Sequence, residues 1–147
     1  MELSVRIIIN NHSIFLAMEF NPREVTLIYN FSKQGDRESL SYAKQIAQHV
    51  NEIDISKNPL TERQMAQLID KLGVSVEEII DTKSDIYREK YKGVSMETPD
   101  WFGVIKHNPN MMKTPIGILG ERSVICDLPS QLLELDKGQG FDQNFKT

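Results

Sequence analysis

Cysteine is the scarcest useful residue in this chain: Cys126 stands alone among 147 residues. One thiol closes no internal disulfide, builds no cysteine-rich zinc site and runs no two-cysteine redox cycle by itself. Histidine is almost as thin. His12, His49 and His107 lie far apart, and no two share the helical or short-loop spacing of metal ligands, so no metal is expected. Positive charge is in deficit, with 17 Lys and Arg against 21 Asp and Glu. A general nucleic-acid binder needs the opposite field, so direct nucleic-acid binding is not expected. Long apolar runs are missing too. The two near the start, 5–9 and 14–18, are far shorter than the ~20 residues that span a bilayer. With Glu2 where a signal peptide carries positive charge, and Asn10, Asn11, His12 and Ser13 between the runs, the segment reads poorly as a signal peptide.

What is present suits one soluble domain. The 39% hydrophobic and 26% charged content is ordinary, and a chain of this length buries roughly 70% of its unfolded surface. Residues 1–18 read either as a hairpin turning at 10–13 or, preferred, as an extension upstream of a true start at Met18. Residues 19–137 form the domain. Residues 138–147 carry two Gly, two Phe and no periodicity, and are expected to be a flexible tail. The net charge of −4 falls entirely within 52–100, which holds eleven acidic and seven basic residues. Both signs mix there on helical stretches, as on a solvated face. One thiol suits a reducing cytoplasm, where the chain is expected to act.

Hydrophobic periodicity places the elements. Val25–Tyr29 is an apolar run of strand length, followed by a loop at 30–35 and a helix with apolar Leu40, Ala43, Ile46, Ala47 and Val50. Residues 51–55 alternate as a second strand. Asn58-Pro59 breaks the chain, after which Thr61 and Gln64 fit a capping box, Leu60 and Met65 its hydrophobic staple, and Gly73 a stop. The device repeats at once, with Ser75 and Glu78 as box and Val74 and Ile79 as staple, predicting two helices in tandem. Thr98-Pro99 opens another helix, with Trp101, Phe102 and Ile105 inward. Ile116–Leu119, the Gly120-Glu121 turn and 123–126 read as a β-hairpin. A last helix starts at Pro129, with Leu132, Leu133 and Leu135 facing the sheet. The expected fold is therefore α/β and thioredoxin-like: a βαβ unit, then a β-hairpin and helix on one mixed sheet, with an all-helical insertion between the halves.

Several short stretches then look familiar. Ile28-Tyr29-Asn30 before a loop and helix, Leu72-Gly73-Val74, Thr82-Lys83 followed by Tyr87, Asn108-Pro109 before Thr114-Pro115-Ile116, and Val124-Ile125-Cys126-Asp127-Leu128-Pro129 before Leu133-Glu134-Leu135 occur in one order over roughly 24–136. Together they resemble the arsenate reductase family of the ArsC type, which includes the Spx transcriptional regulators. The resemblance implies a glutaredoxin-like chemistry: a cysteine at the N-terminus of the first helix, where backbone N–H groups and the dipole favour a thiolate and an oxyanion, with three assisting arginines and glutathione as cosubstrate. It also implies a cis peptide at Thr114-Pro115.

At each of those places this sequence departs from the pattern. The cysteine position falls on Lys33 or Gln34, in a loop one residue shorter than the family's. The arginine positions fall on Asp81, Thr114 and Asp127. Carboxylates at two of them reverse the preference for an oxyanion, although Arg37 and Lys113 still offer positive charge. Asp36, in the first helical turn, reads as a cap rather than a catalytic acid. Ser32 has no base beside it in sequence and could reduce nothing. Cys126, at a strand end ahead of a helix, is either a thiol of lowered pKa or a small packed residue, the second reading being preferred. Thr114 and Pro115 are candidate contacts for glutathione or a peptide. Trp101, Phe102, Met111 and Met112 could line a groove, but at helical spacing they read as core.

The leading expectation is thus a degenerate active site and a binding or regulatory module with an unknown protein partner and no membrane contact. Spx regulators serve RNA polymerase on this scaffold, but the analogy carries a fold and not a partner, and their Cys-x-x-Cys is missing here. The alternative is a glutathione- and glutaredoxin-linked thiol oxidoreductase of arsenate reductase type using Cys126 or a partner's thiol. A third is a pocket that binds an anion without chemistry.

Overall fold

The computed structural model describes Met18 and residues 20–137; the candidate hairpin at 10–13 and the tail at 138–147 lie outside them. At the centre is β1 (Val25–Tyr29), buried along its whole length, as a strand covered on both faces should be. It pairs in parallel with β2 (Val50–Asp54) on one side and antiparallel with β3 (Ile116–Leu119) on the other. β3 pairs antiparallel with β4 (Arg122–Ile125), so the sheet order is β2-β1-β3-β4. This is the mixed sheet of the thioredoxin-like arrangement that the element order implies. β4 begins one residue earlier than the alternation suggests, and Cys126 lies just past its end.

Two apolar layers cover the sheet. On one side, Val25, Leu27 and Tyr29 pack with Ala43 of α1 (Gln34–Ile46), with Cys126, and with Leu132 and Leu135 near the C-terminal end. That end is a 3₁₀ segment, Pro129–Leu133, running into the short α4 (Glu134–Lys137). Leu132 and Leu135 are buried and Leu133 only half so, so the inward stripe is narrower than the sequence suggests. Gly117 in β3 permits this close packing, because a Cβ there would collide with the methyls of Leu132 and Leu135.

On the opposite side, Ile28, Ile116 and Ile118 meet the insertion. Its first helix, α2 (Glu62–Leu72), starts as expected: the Thr61 amide donates to Gln64 Oε1 at 2.9 Å and the Gln64 amide to Thr61 Oγ1 at 3.0 Å. It stops at Gly73, which takes φ +70° and donates to the Ile69 carbonyl at 2.9 Å. Met18 and Phe20 pack against this layer, and the Met18 amide donates to Gln67 Oε1 at 3.0 Å. The packed region therefore includes Met18 itself.

The second tandem helix is not a full helix. Glu78 accepts from the Ser75 amide at 3.1 Å, but only a 3₁₀ turn, Val76–Ile79, follows. The chain then extends to pair Ile80 with Met112, with the Asp81 amide donating to the Met111 carbonyl at 2.7 Å and the Lys113 amide to that of Ile79 at 2.8 Å. Long-range pairing thus ends what the local cap begins. A π-helical turn, Tyr87–Tyr91, comes next, then α3 (Thr98–His107), which buries Trp101, Phe102 and Ile105, and a 3₁₀ turn, Pro109–Met111. No helix among the described residues is long and apolar enough to cross a membrane.

Candidate functional site

The loop between β1 and α1 is held from several sides. Asn30 is fully buried. Its amide donates to Asp36 Oδ2 at 2.8 Å, tying the strand end to the first turn of α1. Its side-chain oxygen accepts from the Ser32 amide at 3.0 Å and from the Ser32 hydroxyl, an Asx turn. Its side-chain nitrogen donates to Asn110 Oδ1 at 2.7 Å, fastening the loop to the turn after α3. On the other flank the Phe31 amide donates to Asp54 Oδ1 at 3.1 Å, which also accepts from the Ser56 amide at 3.0 Å. Burial pushes the Asp54 carboxyl up. The Ser56 hydroxyl, the Phe31 and Ser56 amides and nearby Lys57 outweigh it and hold the pKa below the usual value. Sequence reasoning missed Asn110 and Asp54. An Asn two residues before a Ser was the one local signal for the turn.

Between this loop and the insertion lies a cleft of about 510 Å³. Ser32 and Lys33 form one wall. Asp81, Lys83, Ser84 and Asp85 form the other, with Asn110 between them. Of the positions that the resemblance singles out, the cleft brings together Lys33 and Asp81. Lys33 is the N-cap of α1 and makes no side-chain cap. Gln34, the first helical residue, is exposed and not part of the lining. Asp36 is buried and engaged with Asn30, as a structural carboxylate. Arg37 donates to the Phe31 carbonyl at 2.7 Å, with its guanidinium 5.5 Å from the Phe31 ring centroid, so its charge is committed to the loop.

The remaining positions lie elsewhere. Thr114 and Pro115 are joined by a cis peptide. The Pro115 carbonyl accepts from the Cys126 amide at 2.9 Å, and Thr114 Oγ1 is buried with no hydrogen-bond partner among the described residues. Asp127 is exposed, and its amide donates to Gln131 Oε1 at 2.6 Å. Cys126 is 4% exposed in the α1-side layer. Burial first, then the negative charges of Glu134, Asp36 and Asp127, push its thiol up to about 12. At neutral pH it is a thiol, without the thiolate that nucleophilic or redox chemistry needs. Trp101, Phe102, Met111 and Met112 are core, as their spacing suggests. Among the described residues no three His, Cys, Asp or Glu side chains cluster as a metal site.

No protein-family model matches the sequence, and no curated protein does. Solved structures do match. A putative arsenate reductase from Yersinia pestis superposes with a TM-score of 0.67 at 21% identity, over 76% of this chain and 99% of that one. An arsenate reductase from Vibrio cholerae gives 0.66 at 20% identity, over 78% and 98%. A putative ArsC family related protein from Bacteroides fragilis gives 0.59 at 14% identity, over 76% and 98%. The chain therefore has the arsenate reductase type of thioredoxin-like fold, spanning nearly the whole length of each of these proteins. That likeness is one of fold, and the particular activity is a separate question.

Proposed function

We propose that this chain is a divergent member of the ArsC and Spx group that has lost its redox centre and acts in the cytoplasm as a binding or regulatory module for a protein partner. One observation carries the reading. The sole thiol, Cys126, is buried in the apolar layer that holds Leu132 and Leu135, and burial together with the charges of Glu134, Asp36 and Asp127 pushes its pKa up to about 12, while the mouth of α1 offers Lys33 or Gln34 where the family pattern asks for sulfur. Thiol-based reduction of arsenate needs a nucleophilic sulfur that the oxyanion can reach.

Two exposed apolar side chains favour a protein partner. Phe31 is 47% and Leu128 63% exposed. They flank the same first turn of α1: Arg37 of that turn holds the Phe31 carbonyl, and Gly35 faces Pro129, the neighbour of Leu128. Apolar groups rimmed by polar ones are common at protein contacts.

The test incubates purified protein with arsenate, glutathione and glutaredoxin, beside a Cys126→Ser variant, and captures partners from native extract with wild type and Phe31→Ser. No turnover, together with a recurrent partner that the Phe31 variant loses, is the expected result. Arsenate turnover that disappears in Cys126→Ser would establish the oxidoreductase reading, with glutathione as cosubstrate, in its place.

A further inference from the structure

The two exposed apolar side chains beside the first turn of α1 stand on backbone whose hydrogen bonds are already made. The Phe31 amide donates to Asp54 Oδ1 at 3.1 Å, and the Phe31 carbonyl accepts from Arg37 Nη1 at 2.7 Å. The Leu128 amide donates to Gln131 Oε1 at 2.8 Å, and the Leu128 carbonyl accepts from the Gln131 amide at 3.0 Å. A partner strand finds no free backbone group at either residue, so strand addition is not the mode of contact here. Side chains must make the contact. Both are presented on backbone fixed in advance, which lowers the ordering cost of binding.

Charge distinguishes the two ends of this surface. At the Phe31 end the Arg37 guanidinium lies 5.5 Å from the ring centroid and is exposed, with N–H groups beyond the one that holds the Phe31 carbonyl. Lys33, at the start of the same helix, makes no side-chain cap. Neither cation forms an ion pair among the described residues. The nearby carboxylates are occupied elsewhere. Asp36 is buried against the Asn30 amide. Asp54 Oδ1 accepts from the Phe31 and Ser56 amides and from the Ser56 hydroxyl. Across the cleft, Asp81 accepts from the Lys83 amide and Asp85 pairs with Arg88. Glu38 follows Arg37 on α1 and so stands about 100° round the helix from it. The Leu128 end instead borders the exposed Asp127. In a chain of net charge −4, the Phe31 end is therefore a locally positive rim around an aromatic anchor. Carboxylates on a partner complement that rim, and a basic partner is repelled by it.

We propose that Phe31 and Leu128 anchor a docking surface for an acidic, apolar peptide segment of a partner protein, with the segment's apolar side chains on the two anchors and its carboxylates on Arg37 and Lys33. This surface presupposes the binding-module reading and gives the partner its chemistry.

The test selects binders to the full chain from a displayed library of random dodecapeptides and measures the enriched sequences by fluorescence anisotropy. Enriched peptides are expected to carry Asp or Glu beside large apolar residues and to bind more weakly as salt rises. They should bind at least about fivefold more weakly to Phe31→Ser and to Leu128→Ser. Arg37→Gln removes the charge but keeps an N–H donor for the Phe31 carbonyl, and should weaken them by about threefold or more. All three side chains are exposed, so unchanged melting temperatures are expected and serve as the check on folding. Lys33→Glu reverses a charge that makes no side-chain cap and should select fewer acidic peptides. Absence of enriched binders, enrichment without acidic residues, or binding unaltered in Phe31→Ser, Leu128→Ser or Arg37→Gln would each overturn the surface and leave the binding-module reading standing. Failure of that reading has its own signature, arsenate turnover that depends on Cys126.

Discussion

The mouth of α1 and the end of β4 divide between them what a reactive thiol needs in one place. The mouth has a helix N-terminus, a cleft of about 510 Å³ and the side chain of Lys33, but no sulfur. The end of β4 has the thiol, buried in the layer that holds Leu132 and Leu135 and opposed by the charges of Glu134, Asp36 and Asp127. Asp36 takes part in both regions: its carboxylate accepts the Asn30 amide at the mouth and its charge opposes ionisation of the Cys126 thiol. The contrast teaches that a thiol's reactivity belongs to its surroundings: burial and facing carboxylates keep it protonated, wherever in the fold it stands.

The sharpest way to break the contrast is to return sulfur to the mouth. Lys33→Cys should carry a thiol that reacts with iodoacetamide at neutral pH at least about 100-fold faster than Cys126 in the same folded molecule, read by peptide mass mapping. Equal rates would mean that the two regions do not differ as argued. Loosening the burial is next. Leu132→Ala removes a fully buried side chain from the layer that holds the thiol and should cost about 2–5 kcal/mol in urea unfolding, with faster labelling of Cys126.

The same thiol makes a pH prediction of definite sign. Its pKa is raised on folding, so the neutral form is favoured in the native state. That contribution is complete below the unfolded thiol's pKa and declines as pH climbs from there through about 12. Cys126→Ala should flatten the alkaline fall in stability relative to wild type, measured by denaturant unfolding between those limits. The smallest effect falls on the group shared by both regions. Asp36→Ala leaves the buried Asn30 amide without its acceptor and should cost about 1–3 kcal/mol by thermal melting, while lowering the pKa of Cys126.

Particular residues show how far the sequence could be read. The β1 run, the Thr61-Gln64 box, the Gly73 stop and the Gly120 turn each state a local preference that the fold keeps. Ser75 and Glu78 state one just as clearly, yet their helix lasts a single turn, because Ile80 pairs with Met112 more than thirty residues away. The π-helical turn at Tyr87–Tyr91 carried no local signal. At the candidate site, Lys33 and Asp81 were identifiable as substituted positions. That they share one cleft with Lys83, Ser84 and Asn110, and that Gln34, Thr114 and Asp127 stand outside its lining, follows from how the insertion folds back over the sheet.

By itself the sequence determined that one thiol exists, that it stands at the end of a strand rather than at the start of the first helix, and that strands and helices alternate in a thioredoxin-like order. These are properties of composition and of periodicity over a few residues. Only the tertiary structure decided that the thiol is buried in one layer with Leu132 and Leu135 and feels the charge of Asp36, or that Asn30 and Asn110 are bonded across the fold. Burial and charge at a point are sums over everything packed around it, and residues distant along the chain become neighbours only once the sheet and its two layers have closed.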